Sequence, residues 1–187
     1  MDYSRDGTDT GKYSREEIQK IIQTGKISIA YINIGEAEDH RFYWRDEWYS
    51  NPPKWLGDKD PERKGCYAVK YWYKEWKNII FKYLDKIIQQ GFSGVYLDKI
   101  DEFEYWAKNG YDEEFTAREM INLIIEISNH CKGKDFLIIL QNGEKLIEYD
   151  NVTLLSIIYG WVVEDLFYNG TKKKTREEID KRIKLLD

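Results

Sequence analysis

Four short runs rich in β-branched and aromatic residues, each separated from the next by a stretch with helical spacing, constrain this chain more than any other feature. They lie at residues 28–34, 94–98 and 136–141, with a fourth ending near Val163 within 154–164. The intervening stretches carry helix signals. Ser14 and Glu17 form a capping box opening a helix to about Gln23, with Ile18, Ile21 and Ile22 on one face. A long helix over about 72–90 carries Trp76, Ile80, Tyr83, Leu84, Ile87 and Ile88 and ends at Gly91. Thr116 and Glu119 are expected to open a third, through Met120, Ile121, Ile124 and Ile127. Residues 142–149 read as a short helix. Thr175 and Glu178 cap a last one with Ile179, Ile183 and Leu186 at helical spacing.

Strands joined by helices return to the same sheet by right-handed crossovers, which makes the sheet parallel. The expected architecture is α/β: about four parallel strands in sequential order with outer helices, in one domain over residues 1–187. Two stretches read as long loops, 35–71 (with all three prolines) and 99–115. Loops of that length bind something or cover a site.

Each strand ends in acids or amides. The first leads through Gly35 into Glu36 and Glu38. The second ends in Asp98, with Asp101 three residues on. The third ends in Gln141, Asn142 and Glu144, and the fourth in Glu164 and Asp165. In a parallel sheet these endings share one edge, where α/β folds hold their sites. Alternation points Asp98 with Tyr96 and Glu164 with Val162, so both carboxylates face the concave side if those residues do. Second-neighbour strands stand roughly 10 Å apart, and curvature brings side chains closer. That gap admits glycoside hydrolysis by two carboxylates, at about 5–5.5 Å for retention or about 6.5–9.5 Å for inversion, without choosing between them.

The other features have simpler readings. An acid after a strand often caps the next helix, a role open to Asp101, Glu144 and Asp165. Trp44, Trp48 and Trp55 are equally a sugar-stacking platform or a packed lid, whereas Trp72 and Trp76 belong to the core. His40 and His130 lack metal or triad spacing. Residues 7–12 (GTDTGK) fall one residue short of a phosphate loop. Lysine and arginine total 29 against 34 acids, a net charge of −5 that argues against nucleic acid as partner. No apolar run approaches the roughly 18 residues of a membrane span. Cys66 and Cys131 lack CxxC spacing, so neither a disulfide framework nor a zinc site is indicated.

Six segments in this order carry a resemblance: YINIGEAE (31–38), RFYW (41–44), VKYW (69–72), GFSGVYLDKIDEFEYW (91–106), QNGE (141–144) and VEDLFYNG (163–170). They resemble the endo-α-1,4-polygalactosaminidase-like glycoside hydrolases of family 114, which are (β/α)8 barrels. The resemblance implies hydrolysis of an α-1,4-linked galactosamine-type polysaccharide, with Asp98 as nucleophile or base and Glu164 as general acid. It implies that Tyr31, Glu36, Glu38, Asp101, Gln141, Asn142 and Asp165 bind substrate, with no metal or cofactor. A general acid must keep its proton near neutral pH, and Asp165 beside Glu164 or Asp101 near Asp98 would supply the negative charge for that. An acidic cleft also suits a polymer with cationic amines. Two other readings stand beside this one, a non-catalytic carbohydrate-binding remnant and a metal-assisted hydrolase built on Asp98 and Asp101.

Family barrels begin before the position of Met1 and continue beyond that of Asp187, and closed barrels take about 250 residues. The expectation is therefore the middle of a barrel, with residues 2–4 as the tail of a preceding strand. Two open sheet edges would favour self-association and weaken activity. As written the chain reads as cytoplasmic, although relatives are commonly exported.

Overall fold

The computed structural model describes residues 1–185, so Leu186 of the expected last helix lies outside the described residues. In chain order the elements are α1 (Arg15–Ile22), β1 (Ile29–Asn33), β2 (Glu36–Glu38), β3 (Leu56–Lys59), β4 (Cys66–Val69), α2 (Lys74–Gln90), β5 (Gly94–Asp98), α3 (Glu102–Lys108), α4 (Glu113–Cys131), β6 (Leu137–Gln141), α5 (Ile147–Ile157), β7 (Gly160–Val162), β8 (Tyr168–Asn169), β9 (Lys172–Lys173) and α6 (Arg176–Ile183).

The central sheet runs β1-β5-β6-β7, every pair parallel and in sequential order. Asn33 lies opposite Asp98, and Gln141 opposite Val162, so the four strand ends finish along one edge. Ala30, Ile32, Val95, Leu97, Ile138 and Leu140 alternate onto one face. They join a single buried cluster with Trp76, Ile80 and Leu84 of α2 and Met120, Ile124 and Ile127 of α4. Each large aliphatic side chain buried there contributes about 1.5–3 kcal/mol. Tyr31, Tyr96 and Asp98 occupy the opposite alternation and are half-buried. At the β1 edge the Met1 amino group donates to the Ile29 carbonyl (2.9 Å) and the Tyr31 amide donates to the Met1 carbonyl (2.8 Å). Along the other side of the molecule Val152, Leu155, Tyr159 and Val162 of the α5–β7 region are exposed. No helix among the described residues is long and apolar enough to cross a membrane.

Several elements differ from the sequence expectation. Residues 35–71 form an antiparallel sheet of order β2-β4-β3 instead of a loop. Its strands are three or four residues long and carry Glu36, Glu38, Asp58 and Lys59, so charge masks the alternation. Buried ion pairs make those charges tolerable: Glu38 with Arg41 (2.7 Å), and Glu36 with Arg63 (3.0 Å) and Lys99 (2.7 Å). Residues 99–115 contain α3. The next helix, α4, starts at Glu113, capped by Asp112, whose side chain accepts from the Phe115 amide (2.8 Å). Thr116 is already inside it, its buried hydroxyl donating to the Phe103 carbonyl (3.1 Å), so Thr116 and Glu119 are no cap. The short helix expected at 142–149 is a single turn over Glu144–Leu146 that runs into α5. Both other capping boxes, Ser14 with Glu17 and Thr175 with Glu178, are present. Trp55 is buried between Trp48 and Trp76, each with ring centroids 5.1 Å away. That is the packed-lid reading of these tryptophans, anchoring the small sheet on α2.

Candidate active site

The site is built where the strands end. Asp98 closes β5. Its Oδ2 accepts from the Tyr31 hydroxyl at 2.5 Å, and its Oδ1 from the Lys99 amide at 2.7 Å. Lys99 is left-handed (φ 61°), which turns the chain off the strand and carries its ammonium group to Glu36. Gly35 lies beneath this turn, and a Cβ there would stand 2.1 Å from the Lys99 carbonyl, so no larger residue fits. Asn33, at the end of β1, accepts with Oδ1 from the amides of Gly35 and Glu36 (3.2 and 2.8 Å) and fixes the entry to β2.

The other wall comes from β6 and β7. Asn142 is left-handed (φ 54°), and its Oδ1 accepts from the Glu164 amide (2.8 Å) and from Arg182 of α6 (3.2 Å). The Asn142 amide donates to the Val162 carbonyl (2.8 Å), and the Trp161 indole donates to the Asn142 carbonyl (2.6 Å). Gln141 donates its side-chain amide to Glu164 Oε2. Arg182 also binds Glu144 (2.7 Å) and the Glu164 carbonyl (3.0 Å), fastening α6 to this wall.

Asp98 and Glu164 line one open cavity of about 520 Å³. Tyr31, Asp101, Gln141, Asn142 and Asp165 line it too, bringing together seven of the nine residues singled out from the sequence. Tyr96 lines the same cavity, near enough to both carboxylates to feel their charges. Burial and the charges of Glu164 and Asp98 push its hydroxyl up to about 12, so it is a neutral phenol at physiological pH. Burial, with Asp98 adding, raises the Asp101 carboxyl against the pull of Lys99. Glu36 stands behind the cavity, buried and clamped between Arg63 and Lys99, and burial raises its carboxyl despite both cations. Glu38 is held away by Arg41, which also binds Asp2 (2.6 Å). Sequence reasoning missed Arg63 and Lys99, the two cations of the cavity. Lys99 was visible inside the DKID segment. Arg63 carried no signal, because it sits on a turn between strands that were not anticipated. Among the described residues no three His, Cys, Asp or Glu side chains gather as metal ligands would. Both cysteines are free and buried.

The family model of glycoside-hydrolase family GH114 matches residues 3–182. The chain belongs to that family. A protein of Methanocaldococcus jannaschii is 69% identical over 191 residues, covering all of this chain and 55% of that protein. One of Thermotoga maritima is 49% identical over 189 residues, covering 58% of its length. The chain therefore spans little more than half the length of the curated relatives it matches. Among solved structures it is similar to the glycoside hydrolase domain of PelA from Pseudomonas aeruginosa (TM-score 0.74, 12% identity, 94% of this chain and 68% of that one). It is also similar to Aspergillus fumigatus Ega3, solved in complex with galactosamine (TM-score 0.63, 18% identity, 81% and 56%). The GH114 fold is thus represented here by four consecutive strands of a TIM-barrel-like sheet and their helices.

Proposed function

We propose that this GH114 chain carries the two-carboxylate centre of a glycoside hydrolase acting on an α-1,4-linked galactosamine-type polysaccharide. The observation that carries the reading is the shared cavity of Asp98 and Glu164, presented at the ends of second-neighbour strands and lined also by Tyr96. In this reading Glu164, oriented by Gln141, gives its proton to the departing glycosidic oxygen. Asp98, held by the Tyr31 hydroxyl and the Lys99 amide, attacks the anomeric carbon or activates a water there. Asp101 and Asp165 add negative charge to the rim, which favours a sugar polymer bearing free ammonium groups. The galactosamine bound by the Aspergillus relative supports the same substrate class.

The test is release of reducing ends from a partly deacetylated α-1,4-galactosamine polymer by the purified chain. Asp98→Asn and Glu164→Gln are each expected to lower the rate by about 10²–10⁴-fold while circular dichroism stays unchanged. Cleavage that survives both substitutions would remove the centre from these residues. Binding without cleavage by the unsubstituted chain would instead favour a carbohydrate-binding role.

A further inference from the structure

Between the small antiparallel sheet and α3 lies a second cavity of about 350 Å³. Lys99 and Asp101 line both it and the Asp98 cavity, so the two are neighbours across one wall. Six acidic residues and three lysines surround it. Several of the acids are already engaged: Glu36 by Arg63 and Lys99, and Asp60 by the amides of Glu62 and Arg63 (2.8 and 3.2 Å). Glu102 is not. It lines the cavity, is only 5% exposed, and its carboxyl makes no hydrogen bond or ion pair among the described residues. A largely buried carboxyl without a protein partner is costly, and this one lines a cavity wide enough for a ligand group.

We propose that this cavity is a subsite for a primary ammonium group, filled by the amine of a hexosamine unit adjoining the one held between Asp98 and Glu164, with Glu102 as its anionic partner. The inference rests on the hydrolase reading for the identity of the sugar, but the ammonium chemistry stands on the cavity itself. An ammonium offers three donors, enough for Glu102 and a neighbouring acid together, whereas an N-acetyl group offers one donor and no charge. Lys99, whose ammonium is committed to Glu36, opposes the acids, while Lys59, Lys108 and Glu104 stand on the lining. Burial pushes the Glu102 carboxyl up to about 8, with Lys99 opposing and Glu36, Asp101 and Asp60 adding. An incoming cation favours the carboxylate, so docking releases the Glu102 proton to solvent near neutral pH.

The experiment follows the carboxyl carbon of Glu102 by NMR in the full chain from about pH 5 to about pH 9, with Glu102→Gln assigning the resonance. A galactosamine tetrasaccharide with free amines is expected to lower the midpoint by about one unit, and its fully N-acetylated counterpart to leave it in place. Glu102→Gln is expected to weaken binding of the free-amine form about tenfold and the acetylated form not at all. An unmoved midpoint in a sample that binds or cleaves the free-amine form overturns the subsite and leaves the hydrolase reading standing. If the chain neither binds nor cleaves that sugar, the hydrolase reading falls, and methylammonium decides the site: a lowered midpoint keeps it as an ammonium site, an unmoved one ends it.

Discussion

The Tyr31 phenol donates to Asp98 Oδ2 at 2.5 Å, joining β1 to β5 where both strands open into the cavity. A hydrogen bond to a charged acceptor contributes about 1.5–3 kcal/mol. Tyr31→Phe is therefore expected to lower kcat/KM by about 10–100-fold on a galactosamine polymer, with Tm nearly unchanged. Steady-state kinetics beside a thermal melt check this, and an equal loss of Tm and activity would reduce Tyr31 to a packing role.

Glu102 sets a pH dependence of stability. Its carboxyl titrates near 4.5 in an unfolded chain and at about 8 when folded, because it is buried. Between those values the unfolded chain gives up its proton first, so stability falls as pH rises through the window. Glu102→Gln removes that loss. The variant should match the unsubstituted protein near pH 4 and outlast it by several degrees near pH 8, at about 2–4 °C per kcal/mol for a chain of this size. Melting curves at the two pH values supply the comparison, and differences between the proteins cancel the drift of every other group.

Arg182 is the strap between α6 and the Glu164 wall. Its removal strands Glu144, which is 4% exposed, without its ion partner and frees one acceptor site on Asn142. Arg182→Ala should cost about 2–4 kcal/mol in denaturant unfolding and lower activity further by loosening Glu164. Lys181→Ala, one residue away, is the control and should change neither by more than about 0.5 kcal/mol.

Arg41 tests a different case, a buried charge that pairs with neither Asp98 nor Glu164, although its guanidinium lies 5.9 Å from the centre of the Tyr31 ring. Its side chain is 2% exposed and binds both Asp2 and Glu38. Arg41→Ala should destabilise by about 3–5 kcal/mol while KM for any glycan stays the same in the folded fraction. A KM shift in that fraction would mean that Arg41 acts on the cavity through Glu38 or through the Tyr31 ring it covers.

The parallel sheet could be read from the sequence because Val95 and Leu97, or Ile138 and Leu140, are buried on one face of strands bounded by long amphipathic helices. The shared placement of the two carboxylates was legible for the same reason, since Asp98 closes β5 and Glu164 follows β7 by two residues, and both line one cavity. The small sheet escaped because its strands are short and their glutamates look solvent-seeking until Arg41, three residues on, neutralises Glu38 and Arg63 and Lys99, from farther along the chain, neutralise Glu36. Thr116 misled because a buried hydroxyl can satisfy itself on a helix carbonyl as well as on a cap. Arg63 and Glu102 gained meaning only when β3, β4 and α3 came together around them.

Arg63 enters the cavity from the turn between β3 and β4, not from a strand of the central sheet. The hydrogen-bonded scaffold and this cation of the cavity are therefore carried by separable pieces of chain. Lengthening, shortening or exchanging that one hairpin would change which charge reaches the cavity while the parallel strands keep their register, so the cleft's cationic side and the sheet that bears its carboxylates can vary independently.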